Sequence, residues 1–343
     1  MKKVCVLGAG SWGTAQAILL NKNLYDITIW GRPEDNIDDL KITRENKRFL
    51  PGVRIPDNIE ITTDMVKAVT RASFIVLAVP SQAMRSVVEK LSKLINKDTY
   101  LINTAKGLEI ETRMRMSQVV EDILGKEIKP RYAVLSGPSH AEEVAREVPT
   151  VVTVAAFCKD TAFYVQDLYM SPVFRVYTNP DVAGVELGGA LKNILALTTG
   201  MADGLGYGDN TQAALITRGL AELIRLGEAM GGDPRTFSGL SGIGDLLVTC
   251  GSRHSRNRRA GFLIGQGYSL DDTLTEIGMV VEGVHTTRAI HRVSSEMNIE
   301  MPITNACYNI LYKNESAKKA VNLLMQRRKK HEIEEIVNNI HDW

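Results

Sequence analysis

Val4-Cys5-Val6-Leu7-Gly8-Ala9-Gly10-Ser11-Trp12-Gly13 decides the fold of this chain. The apolar run Val4–Leu7 predicts a short buried strand, and the segment Trp12–Leu20 predicts a helix. Between them lie three glycines in the spacing G-x-G-x-x-G. That spacing carries meaning only where a strand runs in and a helix runs out, and both conditions are met. Gly8 permits the tight turn, Gly10 lets the backbone approach a pyrophosphate, and Gly13 lets the helix pack closely on the strand. The first amides of the helix then face the anion. The stretch reads as a dinucleotide-binding turn.

Outward from this turn, apolar runs recur at Ile27–Trp30, Phe74–Val79, Tyr100–Ile102, Ala133–Leu135 and Val151–Ala155. They are short and bounded by turn residues or charges, as expected of strands buried on both faces of a parallel sheet. Helical segments such as Met84–Leu94 alternate with them, the pattern of a doubly wound α/β domain. Beyond Thr178-Asn179-Pro180 the strand-like runs stop. Long amphipathic stretches follow at Val182–Met201, Thr211–Met230, Gly283–Met297 and Ser316–Gln326, with Ala213, Ile216, Leu220, Leu223 and Leu226 at helical spacing. The fold class expected is α/β, an N-terminal doubly wound sheet over 1–180 followed by an all-α C-terminal domain over 181–343. The basic run Arg327-Arg328-Lys329-Lys330, beside Glu332, Glu334 and Glu335, reads as a solvated helix face.

Bulk properties narrow the function. The chain has 343 residues, a size that suits two domains, and its net charge of +1 argues against a general nucleic-acid binder. The four cysteines are scattered, without a CxxC pair or a Cys/His cluster, so free thiols are expected and no metal site. His140, His254, His285 and His291 share no metal or triad spacing and read as surface or structural histidines. No signal-like segment follows Met1-Lys2-Lys3, and no apolar stretch approaches the ~18 residues of a membrane span. A cytoplasmic protein without a membrane span is expected.

The second strand should end where an acidic residue would hold an adenosine ribose 2′-hydroxyl. The chain instead reads Trp30-Gly31-Arg32-Pro33-Glu34, and the Arg32 guanidinium suits a 2′-phosphate. NADPH is the expected cofactor, with NADH still open. Lys106 follows the strand Tyr100–Ile102, and Ser136-Gly137-Pro138-Ser139-His140-Ala141 follows Ala133–Leu135. Both lie at strand carboxyl ends, where open sheets place ligands. Lys192 stands within the apolar helix Glu186-Leu187-Gly188-Gly189-Ala190-Leu191-Lys192-Asn193, whose paired glycines demand a reason such as close backbone approach. Desolvation there would fit the lysine for proton transfer; a snorkelling surface lysine is the alternative. Asp245 and Thr249 share a helix face. Ser252-Arg253-His254-Ser255-Arg256-Asn257-Arg258-Arg259 precedes the apolar-periodic helix Gly261–Ile264 and reads either as a phosphate clamp, with Ser255, Arg256 and Asn257, or as a solvated basic face.

In this order the motifs resemble those of one family, bacterial glycerol-3-phosphate dehydrogenase [NAD(P)+]. The resemblance runs from Gly8-Ala9-Gly10-Ser11-Trp12-Gly13 through Trp30-Gly31-Arg32, Leu77-Ala78-Val79-Pro80-Ser81 and Ala105-Lys106-Gly107-Leu108-Glu109. It continues through Leu135-Ser136-Gly137-Pro138-Ser139, Glu186–Asn193, Ser241-Gly242-Ile243-Gly244-Asp245-Leu246, Ser255-Arg256-Asn257 and Val281-Glu282-Gly283. It implies a Rossmann-type first domain and interconversion of dihydroxyacetone phosphate and sn-glycerol 3-phosphate, supplying phospholipid synthesis. It further implies a homodimer acting on this small-molecule substrate, with no nucleic-acid partner. By the same resemblance, Ser11, Trp12, Arg32, Lys106, Ala141, Arg256, Val280 and Glu282 would contact the dinucleotide, together with Gly8, Gly10 and Gly13. Lys106, Gly137, Ser139, Lys192, Asp245, Ser255, Arg256 and Asn257 would hold the substrate. Lys192 would be the proton acceptor, with Asp245 orienting it or the substrate. Phe49 is placed as an aromatic neighbour of either ligand. The helix around Lys192 also resembles the wider β-hydroxyacid dehydrogenases, whose substrates are carboxylates. A non-catalytic dinucleotide sensor would need the turn alone.

Overall fold

In the computed structural model, residues 2–329, 331 and 332 are described. Eight strands form one sheet: β1 Lys3–Leu7, β2 Asp26–Trp30, β3 Glu60–Thr62, β4 Ala72–Leu77, β5 Tyr100–Asn103, β6 Tyr132–Ser136, β7 Thr150–Ala156 and β8 Phe174–Asn179. Their spatial order is β3-β2-β1-β4-β5-β6-β7-β8. Alternation explains why the strands are apolar throughout: Val4 and Val6 join one core cluster, Cys5 and Leu7 the cluster on the opposite face. The order reverses at β1, between β2 and β4, which places a crevice at the carboxyl ends of β1 and β4.

Four features depart from the sequence reading. The pairing of β6 with β7 is antiparallel, so the sheet is mixed. β3 and β8 were not foreseen. β3 spans three residues, too few to show a period, and β8 is an edge strand whose Arg175, Tyr177 and Thr178 face outward. The stretch predicted as Phe74–Val79 ends as a strand at Leu77 because Ala78 and Val79 already turn into the crevice wall. Finally, the helix Ala317–Met325 stops before the basic run, so Arg327, Arg328 and Lys329 are exposed beyond a helix rather than on one. Lys330, Glu334 and Glu335 lie outside the described residues.

After Asn179 the described secondary structure is helical. The helix Val182–Gly204 is apolar on all sides and is buried accordingly. Its first turn, through Val182 and Val185, packs with the sheet cluster, and its remainder centres the helical core. Glu186 fastens the two parts: its carboxylate accepts from Ser117 N at 2.8 Å, Ser117 Oγ at 2.6 Å, Tyr132 OH at 2.7 Å and Arg115 Nη1 at 3.0 Å. Against this helix lies Arg256–Gly265, and small residues bring the two backbones together. A Cβ at Gly200 would strike Arg258 O, and one at Gly261 would strike Leu197 O. Among the described residues no helix is long and apolar enough to cross a membrane.

Candidate active site

A cleft of about 370 Å³ opens at the carboxyl ends of β1, β4, β5 and β6 and is closed on its far side by the helical part. The loop after β1 forms its floor. Gly8 has φ +120, a conformation open to glycine, and a Cβ there would also strike Ala78 O. Gly13 abuts Gly8 O, so it serves packing and does not line the cleft. Gly10 caps the helix Ser11–Lys22 without a side-chain acceptor, and no acidic residue occupies the first turn. The helix bonds begin with Thr14 N to Gly10 O at 3.0 Å, which leaves the amides of the first turn facing outward. A Cβ on Gly10 would meet nothing within 4 Å. An open hollow before unpaired amides at a positive helix end fits a dinucleotide pyrophosphate.

Ser11, Trp12, Arg32, Phe49, Lys106, Ser139, Ala141, Lys192, Ser255, Arg256, Asn257, Val280 and Glu282 all line this cleft, as do Gly8 and Gly10. Gly137 and Asp245 stand behind its surface, where Gly137 O accepts from Lys106 Nζ at 3.2 Å and from Ser139 Oγ at 3.0 Å. Arg32, read from the sequence as suited to a 2′-phosphate, is paired with Asp35 in a short 3-10 turn.

At the centre, Asp245 is buried and its two oxygens hold two lysines. Oδ1 binds Lys192 Nζ, and Oδ2 accepts from Lys106 Nζ at 2.7 Å. Lys192 Nζ also donates to Thr249 Oγ1 at 2.7 Å, so the face shared by Asp245 and Thr249 is the one that seats the lysine. Lys192 is only 6% exposed, which excludes the snorkelling alternative. Burial pushes its ammonium down to about 8; Asp245 pulls the other way, and Lys106 adds to the lowering. Burial would raise the Asp245 carboxyl, but the two lysines overcome this and hold it below the ordinary value. The glycines predicted to permit close approach do so: Gly188 faces Ser241 O, and Gly189 faces Ser136 Oγ and the Lys106 stem.

The opposite wall is the start of the helix Arg256–Gly265. Ser255 caps it, accepting from Arg258 N at 3.2 Å. Arg256 Nη1 donates to Val280 O at 3.2 Å. The Asn257 amide bridges three helices, donating to Asn193 Oδ1 at 2.9 Å and accepting from Gly283 N at 2.9 Å. Glu282 reaches back to the sheet domain, accepting from Ser81 N at 3.1 Å and Ser81 Oγ at 2.7 Å.

Sequence reasoning missed several of these groups. The ring of His140 lines the cleft 5.9 Å from that of His254, and its Nε2 is buried without a protein partner. Burial first, then Lys192, lowers its basicity. Ser136 Oγ is likewise buried and unpartnered. Asp35 went unremarked beside Arg32, and Ser81 was given no role because its partner Glu282 lies on a helix 201 residues away. His140 alone carried a local signal, its position in the loop after β6.

Two family models match the chain: NAD-dependent glycerol-3-phosphate dehydrogenase N-terminus over residues 3–162 and NAD-dependent glycerol-3-phosphate dehydrogenase C-terminus over 181–322. A relative from Syntrophomonas wolfei, named glycerol-3-phosphate dehydrogenase [NAD(P)+], is 65% identical over all of both chains. One of the same name from Moorella thermoacetica is 55% identical over 97% of this chain and 98% of its own. A crystal structure of glycerol-3-phosphate dehydrogenase from Coxiella burnetii superposes with a TM-score of 0.91 at 37% identity, covering 95% of this chain and 99% of the other. The chain belongs to the NAD-dependent glycerol-3-phosphate dehydrogenase family.

Proposed function

We propose that this protein catalyses the interconversion of dihydroxyacetone phosphate and sn-glycerol 3-phosphate with a nicotinamide dinucleotide, supplying glycerol phosphate for phospholipid synthesis. The observation that carries the reading is Lys192, a buried lysine brought to about 8 at the wall of a cleft that also presents free helix amides. Bound in that cleft, the cofactor supplies or accepts the hydride at C2. The protein does the rest. Residues 1–180 hold the dinucleotide through the Gly8–Gly13 turn, with Arg32 toward a 2′-phosphate, which favours NADPH. Residues 181–343 present the substrate site.

Arg256 and the first amides of its helix anchor the substrate phosphate, with Ser255, Ser139 and Lys106 beside it. Asn257 acts chiefly by holding that helix against its neighbours. Anchoring at the phosphate is remote from the reacting carbon, so its binding energy serves to orient C2 beneath Lys192 Nζ. In reduction the Lys192 ammonium polarises the C2 carbonyl and gives up its proton; in oxidation the neutral amine takes the hydroxyl proton. Asp245 positions both lysines. A homodimer in the cytoplasm completes the proposal.

A steady-state assay tests it directly: dihydroxyacetone phosphate with NADPH, then with NADH, followed by a three-carbon hydroxyacid pair. Turnover of the phosphate substrate, faster with NADPH, is expected. Cofactor oxidation with the hydroxyacid pair alone would overturn the substrate assignment.

A further inference from the structure

The corner of the cleft at the end of β2 contains a carboxylate that the sequence pattern did not lead us to expect. Asp35 accepts from Arg32 Nη2 at 2.9 Å, from Arg32 Nε at 3.2 Å and from Arg32 N at 3.0 Å. Both residues line the cleft, Asp35 as the more sheltered of the two, its side chain 17% exposed against 62% for Arg32. Arg48 lies close enough to bear on the Asp35 charge and stacks its guanidinium 4.9 Å from the ring of Phe49, another lining residue. The corner thus holds two guanidinium groups around one carboxylate.

We propose that Asp35 sets the cofactor preference of this cleft. It occupies one edge of Arg32, and it offers an acceptor to a ribose 2′-hydroxyl. The inference rests on the dinucleotide reading of the cleft given above. A 2′-phosphate, with three acceptor oxygens and greater charge, competes with Asp35 for the same guanidinium donors. Because the Arg32–Asp35 pair is exposed on its Arg32 side, it is weak enough to be displaced. The arriving phosphate must then sit beside the displaced carboxylate, which subtracts from its affinity. A 2′-hydroxyl meets no such opposition and gains the acceptor. One corner therefore serves both dinucleotides, and the carboxylate keeps the phosphorylated one from dominating.

Asp35→Asn separates these effects, because the amide oxygen still accepts from Arg32 N while the charge is gone. Calorimetric titration of the full-length protein with adenosine 2′,5′-bisphosphate and with 5′-AMP compares two ligands that differ only in the 2′-phosphate. The variant should bind the bisphosphate about tenfold more tightly relative to 5′-AMP than the wild type does. The ratio of kcat/KM for NADPH to that for NADH should rise in parallel. Asp35→Ser, which keeps a hydroxyl acceptor, should move both ratios the same way and guards against a folding defect in the first variant. Ratios that stay fixed, or that move toward 5′-AMP, overturn the role of Asp35. Arg32→Ala tests the underlying reading independently: if it leaves the wild-type ligand ratio intact, Arg32 is not the 2′-phosphate ligand. Failure of the wild type to bind either nucleotide would remove the dinucleotide site itself.

Discussion

Lys106 Nζ lies 2.7 Å from Asp245 Oδ2, on the same buried carboxylate whose other oxygen binds Lys192. One negative charge therefore faces two amines in a low-dielectric pocket. Burial, with the Lys106 charge beside it, loosens the proton on Lys192 against the pull of Asp245. The arrangement brings a lysine to about 8.

Replacing Lys192 with alanine should lower turnover by roughly 10³-fold, within the range that general acid–base groups contribute. Binding of the dinucleotide, followed by quenching of tryptophan fluorescence, should remain near the wild-type value because Lys192 is remote from the Gly8–Gly13 turn in the proposed pose. Undiminished turnover would refute its role.

The pH profile follows from Lys192. Reduction of the carbonyl needs the ammonium form, so its kcat should be level below pH 8 and fall tenfold per unit above about 8. Oxidation needs the neutral amine and should rise up to about 8 and then level. Asp245→Asn removes the charge that holds the proton on Lys192. The break in both profiles should move to lower pH, with kcat reduced about 10²-fold. A break that stays in place would show that Asp245 does not act through the lysine.

Gly200→Ala should disturb the site from a distance. The new methyl would strike Arg258 O and press the helix Arg256–Gly265 outward. Overpacking of this kind costs about 1–3 kcal/mol, and KM for the phosphate substrate should rise more than KM for the cofactor. Thermal unfolding with parallel kinetics would check both halves.

Glu222 is buried and accepts from Ile303 N at 2.6 Å, Thr304 N at 3.2 Å and Thr304 Oγ1 at 3.2 Å. Glu222→Ala leaves these donors unpaired at the start of the helix Pro302–Lys313 and should cost about 1–3 kcal/mol. Burial raises its carboxyl from 4.5 to about 7 against the pull of those donors. The folded state then binds the proton more tightly than the unfolded one between these values. Its contribution is present in full below 4.5 and is lost as pH rises through about 7. Chemical denaturation across that window should show the slope in the wild type and not in the variant.

Legibility in the sequence tracked how local each constraint is. Gly8, Gly10 and Gly13 act on one another and on one strand, so their spacing was enough. Asp245 and Thr249 are one turn apart, and their shared face was readable too. The contact between Lys106 and Asp245 joins positions 139 residues apart, and nothing in either segment announces it. Glu186 looked like one charged residue in an apolar helix, yet four donors from two other segments converge on it. Asp35 was masked by Arg32, the residue it neutralises. β8 escaped because half of its residues face outward at the sheet edge and break the apolar run.

The meeting of Gly200 and Gly261 with the opposing helix has a consequence for which molecules can react. Lys192 rides on one of these helices and Arg256 opens the other, so two main chains in contact set the spacing of the backbones that carry these two cationic side chains. No rotamer change can alter that backbone spacing. On the proposed mechanism the two helices would act as a gauge, favouring a substrate whose carbonyl lies the right number of bonds from its phosphate over one that is a carbon too long.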